Sequence, residues 1–213
     1  MATLIITPDD DSYDVNSPTF LAYGTKSKEL LYTRPKQAEL NSEELAGQGR
    51  PTFRPFGIAS DEQFLYVVSH NKLGRFDKNN FEFCALVDVP LFINTHEMVV
   101  HNHIIYVANT SNDTIGIYDL KTKEPKFFSV VKFNTTAEAP IPDNVESHDG
   151  AHVNSLCYHD NKIYFCLHHL DRRDSQLGYF DINTYETQIV AEAGRCNHGV
   201  QVLNNKLYSL STG

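Results

Sequence analysis

Ile105-Tyr106-Val107, followed after a short loop by Ile115-Gly116-Ile117-Tyr118-Asp119, decides the fold because the same pair of runs occurs twice more in the chain. It returns as Leu65-Tyr66-Val67 with Leu73-Gly74-Arg75-Phe76-Asp77, and as Ile163-Tyr164-Phe165 with Leu177-Gly178-Tyr179-Phe180-Asp181. Each unit is an apolar run carrying tyrosine, then a run ending in Gly-x-aromatic-Asp, repeated at about 40 to 58 residues. Self-similarity at such a period, in short alternating segments, is the signature of a β-propeller.

Working outward, each unit gains a strand before the tyrosine run and another after the Asp. In the third unit the first strand reads His152 to Tyr158, and the turn His159-Asp160-Asn161-Lys162 leads into Ile163 to Leu167. Asp and Asn tolerate the left-handed backbone of tight hairpin turns, so these two strands pair antiparallel. The fourth strands are Phe81 to Val87, Lys126 to Lys132 and Thr187 to Glu192. The segment Ala38 to Ala46 allows a brief helix between units.

The chain reads as one all-β domain over 1–213, a propeller of four blades with four antiparallel strands each. Blades one to three cover 54–90, 94–133 and 150–193; 196–213 supplies the first strands of the fourth, and 1–36 completes it. The last assignment rests on Thr19 to Glu29, which matches Thr114 to Glu124. Pairing of the two ends would close the ring and remove exposed sheet edges. Against closure, Leu4 to Thr7 looks like a second strand duplicating Leu207 to Leu210, so part of a larger propeller is the alternative.

Composition narrows the partners. A chain of 213 residues, 41% hydrophobic, is long enough to bury a core. Its net charge of −9 argues against a nucleic-acid backbone as partner, since phosphate binding is driven by clustered Lys and Arg. The opening Met1 to Pro8 has no basic stretch and only a short apolar run, neither a signal peptide nor a span. The expectation is a cytoplasmic protein without a membrane partner. Cys84, Cys157, Cys166 and Cys196 lack metal or disulfide spacing and read as small core residues.

Strand alternation puts the loop entering each blade on the same face as the loop joining its second and third strands. The long segments Gln37 to Phe53, Asn134 to Asp149 and His168 to Gln176 all gather there. Function usually sits on such loops. The strand entries read Arg54-Pro55-Phe56-Gly57, Asn94-Thr95-His96-Glu97, His152-Val153-Asn154-Ser155 and Asn197-His198-Gly199. Three carry a histidine with an asparagine within two residues. Converging His96, His152 and His198 would bind a divalent ion, zinc or calcium, with a position open for water. Glu97 or Asp149 would then act as base and Arg54 would hold an anionic group. Asn94, Asn154, Asn197, His148, His168 and His169 would contact a small polar ligand. The same residues also suit a purely structural role, because His and Asn at strand entries cap loop amides and carbonyls.

Other signals are weaker. Asp9 to Asp14 resembles a calcium loop in charge alone, and His101 and His103 fall in a hairpin turn away from the site face. The tyrosines at 66, 106, 164 and 208 recur with the blades and read as core.

The second unit, Ile105-Tyr106-Val107-Ala108-Asn109-Thr110-Ser111-Asn112-Asp113-Thr114-Ile115-Gly116-Ile117-Tyr118-Asp119, resembles YVTN and NHL-type propeller repeats. The resemblance implies architecture across most of the chain and little chemistry, since such propellers serve as enzymes and as interaction platforms. Some relatives, the peptide-amidating lyases and the lactonase-like hydrolases, hold a divalent ion at the axis through His or through Glu and Asn. His96, His152 and His198 look like the first type, although they come from consecutive rather than alternate blades. Two functions follow: a metal-assisted lyase or hydrolase acting on a small polar molecule, or a module whose loop face docks a protein or glycan.

Overall fold

The structure is a computed structural model, and it describes residues 3–6, 21–24, 30–32, 57–69, 72–89, 95–130, 150–169 and 174–211. The helix expected over Ala38 to Ala46 and the acidic run Asp9 to Asp14 lie outside these residues. The chain divides into two compact units, Met1–Val89 and Pro90–Gly213. Every hydrogen-bonded strand pair in both is antiparallel.

The first unit holds β1 (Thr3–Ile6), β2 (Leu21–Gly24) and β3 (Leu30–Tyr32) in a three-stranded sheet. It also holds a complete four-stranded sheet of β4 (Gly57–Ser60), β5 (Phe64–Ser69), β6 (Lys72–Asp77) and β7 (Phe83–Asp88). The second unit has two more four-stranded sheets. One runs β8 (Thr95–His101), β9 (Ile104–Asn109), β10 (Thr114–Asp119) and β11 (Pro125–Ser129). The other runs β12 (Val153–His159), β13 (Lys162–Leu167), β14 (Ser175–Asp181) and β15 (Thr187–Ala193), and β16 (Asn197–Leu203) pairs with β17 (Lys206–Ser211). The strand signal at Leu4 to Thr7 is realised as β1, which pairs with β2 where a second strand would run. Within the first unit β1 to β3 form their own sheet, and within the second β16 pairs with β17.

The physical content of the Gly-x-aromatic-Asp repeat is visible at the end of each third strand. Asp77 Oδ1 accepts the backbone N–H groups of Asn79 and Asn80, Asp119 those of Lys121 and Thr122, and Asp181 those of Asn183 and Thr184. The Asp carbonyl then accepts the N–H of Phe81, Lys123 or Tyr185, each in the left-handed region. Its own N–H donates to the carbonyl of Glu82, Glu124 or Glu186. One carboxylate therefore specifies the whole turn into the fourth strand. The glycine of the motif is demanded by packing: a Cβ on Gly178 would lie 2.5 Å from Phe165 Cζ and 2.7 Å from the Gln188 carbonyl oxygen.

The hairpins between first and second strands turn through Asn102-His103, Asp160-Asn161 and Asn204-Asn205, both residues at positive φ in each case. That is the mirror-image turn whose twist matches the flanking strands. It accounts for His103, whose imidazole lies 3.9 Å from Asp119, while His101 stacks on Tyr158 at 3.9 Å.

The core of the second unit lies between its two complete sheets, with Ile115, Phe128 and Val130 meeting Val153, Leu156, Phe165 and Phe180. In the first unit Leu65, Val67 and Phe76 form a smaller cluster. Two expectations need correction. Tyr66 and Tyr106 are core, Tyr164 is half-buried, and Tyr208 is 49% exposed on β17. Cys166 is buried but Cys84 is exposed at the start of β7, and none of the four is in a disulfide. No helix among the described residues is long and apolar enough to cross a membrane.

Candidate functional site

The first strands of the second unit share a local irregularity. Register shifts occur between Thr95 and Met98 in β8, between Val153 and Ser155 in β12, and between His198 and Gln201 in β16. A bulge re-aims the side chains beside it. Each of these three lies at, or within two residues of, one of the histidines singled out by the repeat.

The side chains assemble into a run of four imidazoles. His96 and His152 ring centroids are 5.3 Å apart, His152 and His168 are 5.3 Å apart, and His168 and His198 are 4.8 Å apart, all edge to face. The three expected metal ligands are thus brought together with His168, expected only as a ligand contact, set between His152 and His198. Asn154 joins the end of the run. Its Nδ2 lies 3.0 Å from His198 Nδ1 and 3.4 Å from His168 Nδ1, and it donates to the Asn197 carbonyl oxygen at 3.1 Å. Ser155 Oγ donates to Asn154 Oδ1 and accepts from the N–H of Val200.

What fixes His152 is a residue that sequence reasoning missed. Asp113 is fully buried, and its Oδ2 accepts the N–H groups of Gly150 and Ala151 at 2.8 and 2.9 Å. Its Oδ1 accepts that of His152 at 2.8 Å. With three backbone donors on one carboxylate, His152 is held at a positive φ of 53° as the chain enters β12. The available signal is positional: Asp174 immediately precedes β14 as Asp113 precedes β10, and it pairs with Arg195 ahead of the next entry.

The remaining residues divide clearly. Glu97 is tied to the neighbouring sheet, its Oε2 accepting the N–H of Leu156 at 3.0 Å, so its carboxylate serves a structural bond. His169 is buried, with Nε2 against Gln176 Oε1 at 3.1 Å. Asn197 Nδ2 donates to the Ala193 carbonyl, and its N–H donates to Ser175 Oγ. Arg54, Asn94, His148 and Asp149 lie outside the described residues. Thr95 Oγ1, His169 Nδ1 and Asn197 Oδ1 are buried with no hydrogen-bond partner among the described residues, at positions adjoining the imidazole run.

Burial and neighbouring rings disfavour the charged form of two members of the run, His96 and His198. Burial, reinforced by His152, His198 and His168, pushes the His96 pKa down to about 4. His198 is also lowered, first by burial and then by His152. Burial raises Glu97 against the opposing bond from Leu156. Among the described residues no three His, Cys, Asp or Glu side chains form a group that could hold a metal ion. The imidazoles are gathered without presenting the three converging donors that the spacing predicts.

No protein-family model matches this chain, and no curated protein matches it. Solved structures do. The nidogen/laminin complex aligns with a TM-score of 0.60 at 9% identity, covering 94% of this chain and 66% of that one. A streptogramin B lyase aligns with a TM-score of 0.52 at 16% identity, covering 73% and 47%. Virginiamycin B lyase from Staphylococcus aureus aligns at 0.51 and 14%, covering 73% and 48%, so this chain spans about half the length of either lyase. At these identities the likeness is one of fold, and with the antiparallel four-stranded sheets it makes this chain an all-β protein of propeller architecture.

Proposed function

We propose that the imidazole run His96, His152, His168 and His198 is the binding site for a small polar ligand. The observation that carries this reading is the run itself, four rings in sequential edge contact, three of them at bulged strand entries and His168 just past the end of β13. The β12–β13 hairpin brings His152 and His168 together, the His168 N–H donating to the His152 carbonyl, while His96 and His198 join them from β8 and β16. Thr95, His169 and Asn197, next in sequence to His96, His168 and His198, carry buried polar atoms with unspent hydrogen-bonding capacity. Such capacity is normally satisfied by water or ligand.

A second reading keeps His96, His152 and His198 as ligands of a divalent ion in a lyase or hydrolase. The lowered proton affinity of His96 and His198 favours it, because only a neutral imidazole coordinates. It requires the rings to turn, since the donors do not converge as placed. Two of the similar structures are lyases by name, and they support this reading only through their shared fold.

Thermal unfolding of the wild type and of His152→Ala, against acetate, simple sugars, zinc and calcium, tests both. A ligand at a hundredfold its Kd stabilises by about 2.7 kcal/mol, a rise of roughly 5 to 10 °C for a domain of this size. The expected result is such a rise in the wild type and none in the variant. Elemental analysis of protein purified without added metal decides the second reading, and a stoichiometric ion lost in His152→Ala would establish it. No response to any probe would overturn the site.

A further inference from the structure

The Asn154 amide has one orientation compatible with its neighbours. The Asn197 carbonyl oxygen, 3.1 Å from Nδ2, only accepts, so the atom facing it must be the NH2 group. The carbonyl end is then left for Ser155 Oγ to donate to. An amide nitrogen donates and does not accept. His198 Nδ1, 3.0 Å from the same Nδ2, must therefore carry a lone pair, and His168 Nδ1 lies farther off at 3.4 Å. One amide hydrogen serves the Asn197 carbonyl and the other serves His198 Nδ1, the two shorter contacts.

We infer that Asn154 is a positioning residue that fixes His198 in the Nε2–H tautomer, so that the site meets its ligand with an N–H donor and selects an oxygen acceptor such as a carboxylate or carbonyl. The choice of tautomer follows the bond made by the other ring nitrogen. This inference rests on the imidazole run being a ligand site. A ring whose Nδ1 is engaged by an N–H donor and whose Nε2 bears the proton offers no lone pair to an ion. Coordination by His198 through Nε2 would move its proton to Nδ1, against the Asn154 amide.

The test is long-range proton–nitrogen correlation NMR on histidine-labelled wild-type protein at neutral pH, alone and with acetate or zinc added. The expected result is an unprotonated Nδ1 and protonated Nε2 in His198, with the Nε2 resonance moving on acetate addition. In Asn154→Asp the carboxylate can only accept, so the His198 proton should move to Nδ1. The acetate response should then be lost, and zinc affinity should rise by about 10- to 100-fold. Asn154→Ala, which removes the donor without adding an acceptor, should give a mixture of tautomers if the Asp variant does not fold.

An Nδ1–H form of His198 in the wild type overturns the inference whether or not a ligand binds. The expected tautomer together with zinc binding and no acetate response overturns the ligand class. The expected tautomer with no response to any probe instead removes the ligand site, and the ligand class with it.

Discussion

Asp113 concentrates more consequence than any other single residue described. Its carboxylate gathers three N–H groups in a buried place, so Asp113→Ala leaves three donors to find water or go unpaired. A loss of about 3 kcal/mol or more is expected in urea denaturation. His152 should lose its place in the imidazole run even where the variant remains folded, which the His152 ring resonances would report. Sequence reading passed over Asp113 because its partners lie 37 to 39 residues downstream, and spacing of that length carries no local period. Glu97 shows the converse: an acid beside a histidine suggests a catalytic base, yet the next sheet claims it through Leu156. His168 was legible as a member of the site face but not as the ring between His152 and His198, because its place opposite His152 comes from the β12–β13 pairing and its contact with His198 from the next sheet.

At the scale of elements, the strands were legible and their irregularities were not. Alternation and the Asp-Asn and Asn-Asn turns locate the hairpins, since those residues are chosen for the turn itself. The bulges in β8, β12 and β16 have no such marker. Each is imposed where the first strand must both pair with the second and admit a side chain to the site. The glycine of the third strand, by contrast, was readable as a repeat and is now explained by Phe165 and the Gln188 carbonyl. Gly178→Ala should destabilise by about 2 kcal/mol in chemical denaturation, because a backbone oxygen cannot step aside as the end of a side chain can. A variant as stable as the wild type would show that β15 shifts freely against β14.

At the scale of the whole molecule, the repeat disclosed the propeller because each blade closes its own hydrogen bonds among neighbours in sequence. The relation of blades to one another depends on contacts that no period records. Stability should depend on pH through the imidazole run. Above pH about 6.5 His96 is neutral folded or unfolded and its contribution is constant. Between there and about 4 the unfolded chain takes up a proton that the folded chain refuses, so stability falls with pH. The loss from this ring is at most about 3 kcal/mol. Glu97, whose pKa is raised, binds its proton first in the folded state and opposes the slope. His96→Asn should flatten the dependence of the urea midpoint between neutral pH and about 4.5, and an unchanged slope would mean that His96 is freely solvated.

The Asp-capped turn has a consequence for how such a chain can change. It is the same object in all three complete sheets: one carboxylate, one left-handed residue and one Glu carbonyl, joining third strand to fourth. Because it is specified within six consecutive residues, it does not sense the length of the loops at the opposite ends of the strands. Loops there can be lengthened, shortened or exchanged between blades as cassettes while the turn continues to set the strand pairing. Recognition and architecture are in this way heritable separately, one edge of each blade free to diversify while the other keeps the register.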